Sequence, residues 1–408
     1  MLTPEYLQRI TEGAEEISSS LHRTIMDMII ERIMKRLGRG EDYLLTQTDR
    51  WQIQVLQESG ELLEDIQKEI ADKTKLQQKE IKGAFIDAGI TSLKWDDAVY
   101  IAAGLTPTAL MQSPTMLRIL ERDYLATSGE WNNFTRTTAL DAQRTFINQM
   151  DNAYHLVSTG AVPYTQAVRD VINNITEVGL KVNYPTGYRM SIESATMMIV
   201  RTGVGQAAAD ISLKRMEEME WDTVLVSAHL GARTGNGGMN PGNHLWWQGR
   251  FYSRTGKDKR FPDFVKTTGF GTGEGLCGWN CRHSFGSGDG VNNPYEDKKI
   301  TLADNHRVEE LQKRQRAQER RIRDTKRKIQ NLQTAVDNCK DDKARFELQN
   351  MLDRKAHTLK LQNKRYSAFC EENDLREYAE RLKVAQWDRK QAMKSAAAAR
   401  RYESAKKS

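Results

Sequence analysis

The chain has 408 residues, 38% of them hydrophobic and 28% charged, with a mean hydropathy of −0.68 and a formal net charge of +6. The length allows two or three packed units, and the polar balance requires part of the chain to be solvated helix. No apolar run approaches the roughly 18 residues of a membrane span. The acidic opening MLTPEYLQRITEGAEE lacks a signal peptide's apolar core. Four scattered cysteines, at 277, 281, 339 and 370, argue against a disulfide scaffold and for a reducing cytoplasm.

Charge is unevenly placed. Residues 301–408 carry 28 Lys+Arg against 17 Asp+Glu, a net of +11, which leaves −5 for the first 300. A basic end on a mildly acidic body suits a polyanion or an acidic partner, and equally suits a solvated lysine-rich helix.

Thr3 is placed to cap a helix with Pro4 at its first position. Leu7, Ile10, Ile17, Leu21, Met28 and Ile29 continue it at helical spacing to Gly38 and Gly40. A second helix runs through Trp51, Val55, Leu62, Ile66 and Ile70. Residues 75–185 read as shorter helices broken near Gly89, Gly104–Thr106, Ser128-Gly129 and Gly160–Pro163. Tyr184-Pro185-Thr186-Gly187 reads as a turn. Ser191 opens a further helix containing Gly203 and Gly205, each costing up to ~1 kcal/mol against alanine unless something packs closely there.

At Trp221 the texture changes. WDTVLVSAH has the β-branched run of a short strand, and WWQGRFYS is a second strand candidate. From Leu302, Leu311, Ile322, Ile329, Leu332 and Val336 make a sparse apolar stripe among arginines and lysines. DNCKDDK reads as a turn and a second helix follows. The first helix, about 32 residues and roughly 48 Å long, is too polar to stand alone and needs a partner helix or a partner protein. The expected fold is mainly α with a small α+β unit. A helical body spans 1–220, a short antiparallel sheet with glycine-rich loops spans 221–300, and a long basic helical arm, as a hairpin or coiled coil, spans 301–408.

Three constellations carry chemistry. The first gathers His229, Arg233, His244 and Gln248 with Cys277, Cys281 and His283, enough soft donors for zinc. The candidate ligands are His229, Cys277, Cys281 and His283, but Cys281 and His283, two apart on an extended segment, would face opposite ways. The same geometry argues against a Cys281/His283 nucleophile pair. No metal and no cofactor is therefore expected. The second is a metal-dependent nuclease or hydrolase on the histidines, with Asp263 or Asp289 as carboxylate. The glycine-rich GFGTGEGLCG, residues 269–278, lacks the pattern of a phosphate loop, and its glycines suit positive φ and close backbone approach. The third is KRQRAQERRIRDTKRKIQ, in which Lys313, Arg314, Arg316, Arg320, Arg321, Arg323, Lys326, Arg327 and Lys328 suit non-specific contact with duplex DNA phosphates.

The stretch SAHLGAR, then NHLWWQGRFYS, then TTGFGTGEGLCGWNCRHSFGSGDG resembles the signature of a family of tailed-phage minor capsid proteins, phage minor capsid protein 2. The matching positions include Ser227, His229, Gly231, Ala232, Arg233, His244, Trp247, Gln248, Gly249, Tyr252 and Ser253. They continue through Thr268, Gly269, Phe270, Gly271, Gly275, Leu276, Gly278, Asn280, Cys281, Arg282, His283 and Phe285. The ends LTPEYL and QKRQRAQERRIRDTKRKI resemble the family as well. The loop TGNGGMNPGN, between Arg233 and His244, is longer than the family pattern. The resemblance implies a virion protein with no enzymatic activity, similar in role to MuF-type head-morphogenesis proteins. Those sit in few copies at the portal vertex, and some contact packaged DNA. The implied partners are the portal protein, other capsid or scaffold proteins and double-stranded DNA, with no membrane. The competing functional readings are the metal-dependent hydrolase and a free nucleic-acid-binding coiled-coil protein. On the virion reading the 227–285 cluster is a structural knot, its polar side chains bracing loops by pairing with one another.

Overall fold

The computed structural model describes residues 1–45, 51–184, 187–296 and 300–406. It is dominated by helices: α1 (Pro4–Arg9), α2 (Glu12–Leu37), α3 (Glu41–Leu45), α4 (Trp51–Ala102), α5 (Pro114–Ser158), α6 (Tyr164–Val178) and α7 (Ile192–Glu218). Between α6 and α7 lies an antiparallel hairpin of β1 (Lys181–Asn183) and β2 (Arg189–Ser191). The short elements β3 (Thr223–Val226), α8 (His244–Trp247), β4 (Phe251–Ser253), α9 (Phe264–Thr268) and β5 (Phe285–Ser287) follow. The long helices α10 (Leu302–Asn338) and α11 (Asp342–Glu372) and the shorter α12 (Arg389–Ala405) follow.

The Thr3 cap forms: its hydroxyl accepts the Tyr6 N–H at 3.1 Å, with Pro4 opening α1. The first helix, expected to run to Gly38, is interrupted at Ile10 and Thr11, so that α2 starts afresh at Glu12. The expected breaks at Gly104–Thr106 and Gly160–Pro163 are present, but α4 runs through Gly89 and α5 through Ser128-Gly129. Gly89 is a place of close packing: a Cβ there would lie 3.1 Å from Ile211 Cδ1 and 3.2 Å from Leu110 Cδ2. Gly203 has the same role in α7, where a Cβ would fall 2.1 Å from Thr127 Oγ1. A single glycine costs a helix only about 1 kcal/mol, and helices of this length with buried faces absorb it. The turn expected at 184–187 falls partly on Pro185 and Thr186, outside the described residues. At its edges the Gly187 N–H donates to the Tyr184 carbonyl at 2.9 Å.

The residues gather into two compact units that cut across the contiguous partition suggested by texture. One takes residues 1–15, 75–132 and 194–313; the other takes 16–74, 133–193 and 314–408. The first holds two apolar clusters. One joins Leu7, Ile81, Phe85, Met116, Leu120, Val204 and Ile211. The other is built on the three-stranded antiparallel sheet, order β4-β3-β5, with Val224 opposite Tyr252 and Leu225 opposite Gly286. Val224, Val226, Trp247, Tyr252, Phe264, Leu276 and Phe285 fill it. The second strand is shorter than WWQGRFYS suggested, because His244–Trp247 forms the single turn α8 and only Phe251–Ser253 pairs.

In the second unit the polar α10 finds its cover within the chain. Arg23 of α2 donates to Thr334 Oγ1 at 2.8 Å and Asn331 Oδ1 at 3.2 Å. The turn after α10 is tied down by Lys340 and Asp341 N–H groups, both donating to the Gly38 carbonyl. Asp341 then caps α11 through the Ala344 N–H. All four cysteines are free and buried.

Candidate functional site

The glycine-rich segment between α9 and β5 folds back on itself. Cys277 and Asn280 are left-handed, with φ of 59° and 55°. A Cβ on Gly275 would sit 2.2 Å from the Gly269 carbonyl oxygen, and one on Gly278 would sit 2.4 Å from that of Gly273. No side chain fits at either position, so the backbone turns tightly and the segment is not extended. The expectation that Cys281 and His283 face apart fails. Cys281 Sγ lies 3.8 Å from His283 Nδ1, and also 3.8 Å from His244 Nδ1. The three ligand atoms lie within 4.8 Å of one another, and all three residues are buried.

The rest of the cluster fixes these rings. Gln248 Oε1 accepts the His229 N–H at 3.0 Å and lies 2.9 Å from His283 Nε2. A backbone N–H can only donate, so Gln248 presents its oxygen there and His283 carries its proton on Nε2. Arg233 donates to the Glu274 carbonyl at 2.8 Å, and its Nη2 lies 2.7 Å from His244 Nε2, which is itself 2.8 Å from the same carbonyl. His229 stacks on His283 with ring centroids 4.2 Å apart, and its Nδ1 meets the Leu230 carbonyl at 3.0 Å. Ser227 extends the β3–β5 pairing, its Oγ accepting the Ser284 N–H at 3.0 Å. Trp247 is fully buried and donates to the Pro241 carbonyl at 2.9 Å, while Tyr252 donates back to the Trp247 carbonyl. Arg282 reaches Gln312 Oε1 at 3.2 Å. Gly231 and Gly249 both have positive φ. Asn280, expected to brace a loop by side-chain bonds, is exposed; its left-handed backbone is what the turn uses.

Burial pushes the Cys281 thiol up and holds His283 well below its ordinary value; His244 falls to about 4 for the same reason. A thiolate–imidazolium nucleophile is therefore disfavoured. The carboxylates that a hydrolase would need are spent elsewhere. Asp263 caps α9 through the Lys266 N–H at 2.8 Å, and Asp289 accepts the Val291 and Asn292 N–H groups.

A family model for phage minor capsid protein 2 matches residues 2–391. The chain belongs to the phage minor capsid protein 2 family. No match was found among curated proteins or among solved structures. For a minor capsid protein of a bacteriophage the implied location is the virion, and among the described residues no helix is long and apolar enough to cross a membrane.

The structure separates the nine basic residues of α10. Lys313 is exposed but paired with Glu309 at 3.0 Å and Glu310 at 2.9 Å. Arg327 meets Glu193 at 3.0 Å, and Lys328 meets Glu177 at 2.6 Å and Asp324 at 2.8 Å. Lys326 donates to the Leu382 carbonyl at 2.7 Å, and burial lowers it to about 8. Arg323 is buried and donates to the Arg381 carbonyl; Arg316 is half-buried. Arg314, Arg320 and Arg321 are exposed, Arg314 with its guanidinium 5.0 Å from the Phe369 ring centre.

Sequence reasoning missed several braces. Asn305, fully buried in the first turn of α10, accepts the Ala232 N–H at 2.9 Å and donates to the Ala232 carbonyl at 2.8 Å. Asp96 accepts the Ser287 N–H at 2.7 Å, and burial raises it to about 6. Trp95 donates to the Ser287 carbonyl. A lone polar residue satisfying one distant peptide leaves no periodic signal in a sequence.

Proposed function

We propose that this minor capsid protein is a non-catalytic structural part of the phage head that works at the portal vertex and contacts the portal protein and neighbouring capsid or scaffold proteins. The observation that carries the reading is the family match along nearly the whole chain, residues 2–391. The vertex position is supported by the resemblance in role to MuF-type head-morphogenesis proteins. The pairing of signature residues such as Gln248 with His229 and His283 supports a structural role, because buried polar groups that satisfy each other brace a fold. DNA contact, on this reading, belongs to the exposed arginines of α10 and is non-specific, since a basic face without base-reading geometry meets phosphates alone.

The test is made on purified heads. Quantitative mass spectrometry and crosslinking should find the protein in few copies and linked to the portal. Absence from purified heads, or a copy number matching the major shell subunit, would overturn the proposal.

A further inference from the structure

We propose that His244, Cys281 and His283 form a zinc site that fastens α8 to the glycine-rich loop. The inference rests on the geometry of these three residues and stands apart from the virion reading. It reverses the expectation drawn from spacing, that Cys281 and His283 face opposite ways, which their side-chain geometry does not bear out.

Donor chemistry fits, and so do the two sulfur–nitrogen distances. One thiolate with two imidazoles is a borderline-soft set suited to zinc. With Zn–S near 2.3 Å and Zn–N near 2.0–2.1 Å, a tetrahedral centre separates sulfur from nitrogen by roughly 3.6 Å. Both Sγ–Nδ1 distances here are 3.8 Å. The outer nitrogens are held as metal-bound histidines require. His283 donates from Nε2 to Gln248 Oε1, which leaves the Nδ1 lone pair facing the sulfur. His244 admits two tautomers. Either Arg233 donates to Nε2 and Nδ1–H points at Cys281, or Nε2–H donates to the Glu274 carbonyl and the Nδ1 lone pair faces the sulfur. A cation selects the second and displaces the thiol proton to solvent. The fourth position lies outside this trio.

The competing account is a metal-free hydrogen-bond chain running from Arg233 through His244, Cys281 and His283 to Gln248. It needs sulfur to serve as both donor and acceptor at 3.8 Å on each side.

The experiment uses the full chain, purified without a histidine tag or chelator from zinc-supplemented culture, with elemental analysis and cobalt(II) substitution. About one zinc per chain is expected, falling to background in Cys281→Ser and His244→Ala and persisting in Cys277→Ser. Cys277 is buried nearby, but its sulfur faces the His283 carbonyl at 3.8 Å and is no member of the trio. If the ligand variants fail to fold, the wild-type cobalt spectrum decides: a thiolate-to-cobalt charge-transfer band supports the site. A folded wild type that takes up neither zinc nor cobalt, or a cobalt complex with no thiolate band, overturns it in favour of the hydrogen-bond chain.

Discussion

Glu193, at the start of α7, should be among the most sensitive positions for the stability of the second unit. It is 2% exposed, and its Oε1 receives the His22 Nδ1–H at 2.8 Å and Arg327 Nη2 at 3.0 Å. His22 Nε2 faces the Leu180 N–H at 3.5 Å, and Arg327 supplies the counter-charge. Burial alone would raise the carboxyl; Arg327 and His22 overcome it and hold Glu193 well below the usual carboxylate range. Glu193→Gln keeps the shape and the bond from His22 but leaves the Arg327 guanidinium, whose Nε already has no partner, without its charge. Removing one member of a buried pair costs about 3–5 kcal/mol. Because Gln keeps one hydrogen bond, the lower end, about 3 kcal/mol, is expected. That lowers the melting point by roughly 6–12 °C at the 2–4 °C per kcal/mol usual for domains of 150–250 residues.

The sign of the pH dependence is fixed as well. A carboxyl depressed in the folded state stabilises fully above its unfolded value, near 4.5, and that stability drains away as pH falls toward the folded value. The gap between wild type and Glu193→Gln should therefore be widest near neutral pH and shrink below about pH 4.5. Chemical denaturation across pH measures it. A gap under about 1 kcal/mol at pH 7, or one that widens on acidification, would refute the argument that a charge pair holds α7 to α10. Glu193→Leu with Arg327→Met should recover part of the loss, because a well-packed apolar pair carries no desolvation cost.

Arg233→Ala should lower stability by about 1 kcal/mol, since it removes the guanidinium bond to the Glu274 carbonyl, which His244 Nε2 also reaches; His229→Ala should cost less, the hydrogen bond its ring loses being to the neighbouring Leu230 carbonyl. Thermal unfolding of the two variants side by side checks the order. Gly278→Ala should cost about 3 kcal/mol or more, because its Cβ would overlap the Gly273 carbonyl at 2.4 Å; soluble yield and melting point report it, and a neutral effect would mean the loop is not closed this way. If Arg314, Arg320 and Arg321 are the residues of α10 that meet DNA, the full chain should bind random duplex with a slope of log affinity against log salt near −3, at ~0.9 per phosphate. Changing all three to alanine should remove that dependence, while binding indifferent to salt would exclude a phosphate contact.

Local signals in the sequence translated directly into structure. Thr3 and Pro4 start a helix because a hydroxyl and a missing N–H solve the same terminal problem. TVLV pairs as a strand because β-branched residues suit a pleated buried surface. The turn after Asn338 is legible because Asp341 can cap the helix that follows it. Helix continuity was not legible at Gly89, where the decisive fact is an isoleucine far along the chain lying where a side chain would have been.

The signature cluster and the basic helix illustrate the same limit in opposite directions. Reading Cys281 and His283 as neighbours on an extended chain put them on opposite faces, yet the thiol and both imidazoles meet. There the sequence view understated convergence, because convergence depends on backbone dihedrals that composition does not specify. In α10 it overstated availability. Counting lysines and arginines treats every charge as free, but Arg327 and Lys328 are held by Glu193 and Glu177, and Arg323 and Lys326 by carbonyls near residue 382. A charge already paired inside the fold must break that pairing before it can neutralise a phosphate, and breaking a buried pair costs more than one surface contact returns. The basic run therefore serves first to bind a polar helix to its own chain, and only its exposed arginines are left to meet a polyanion.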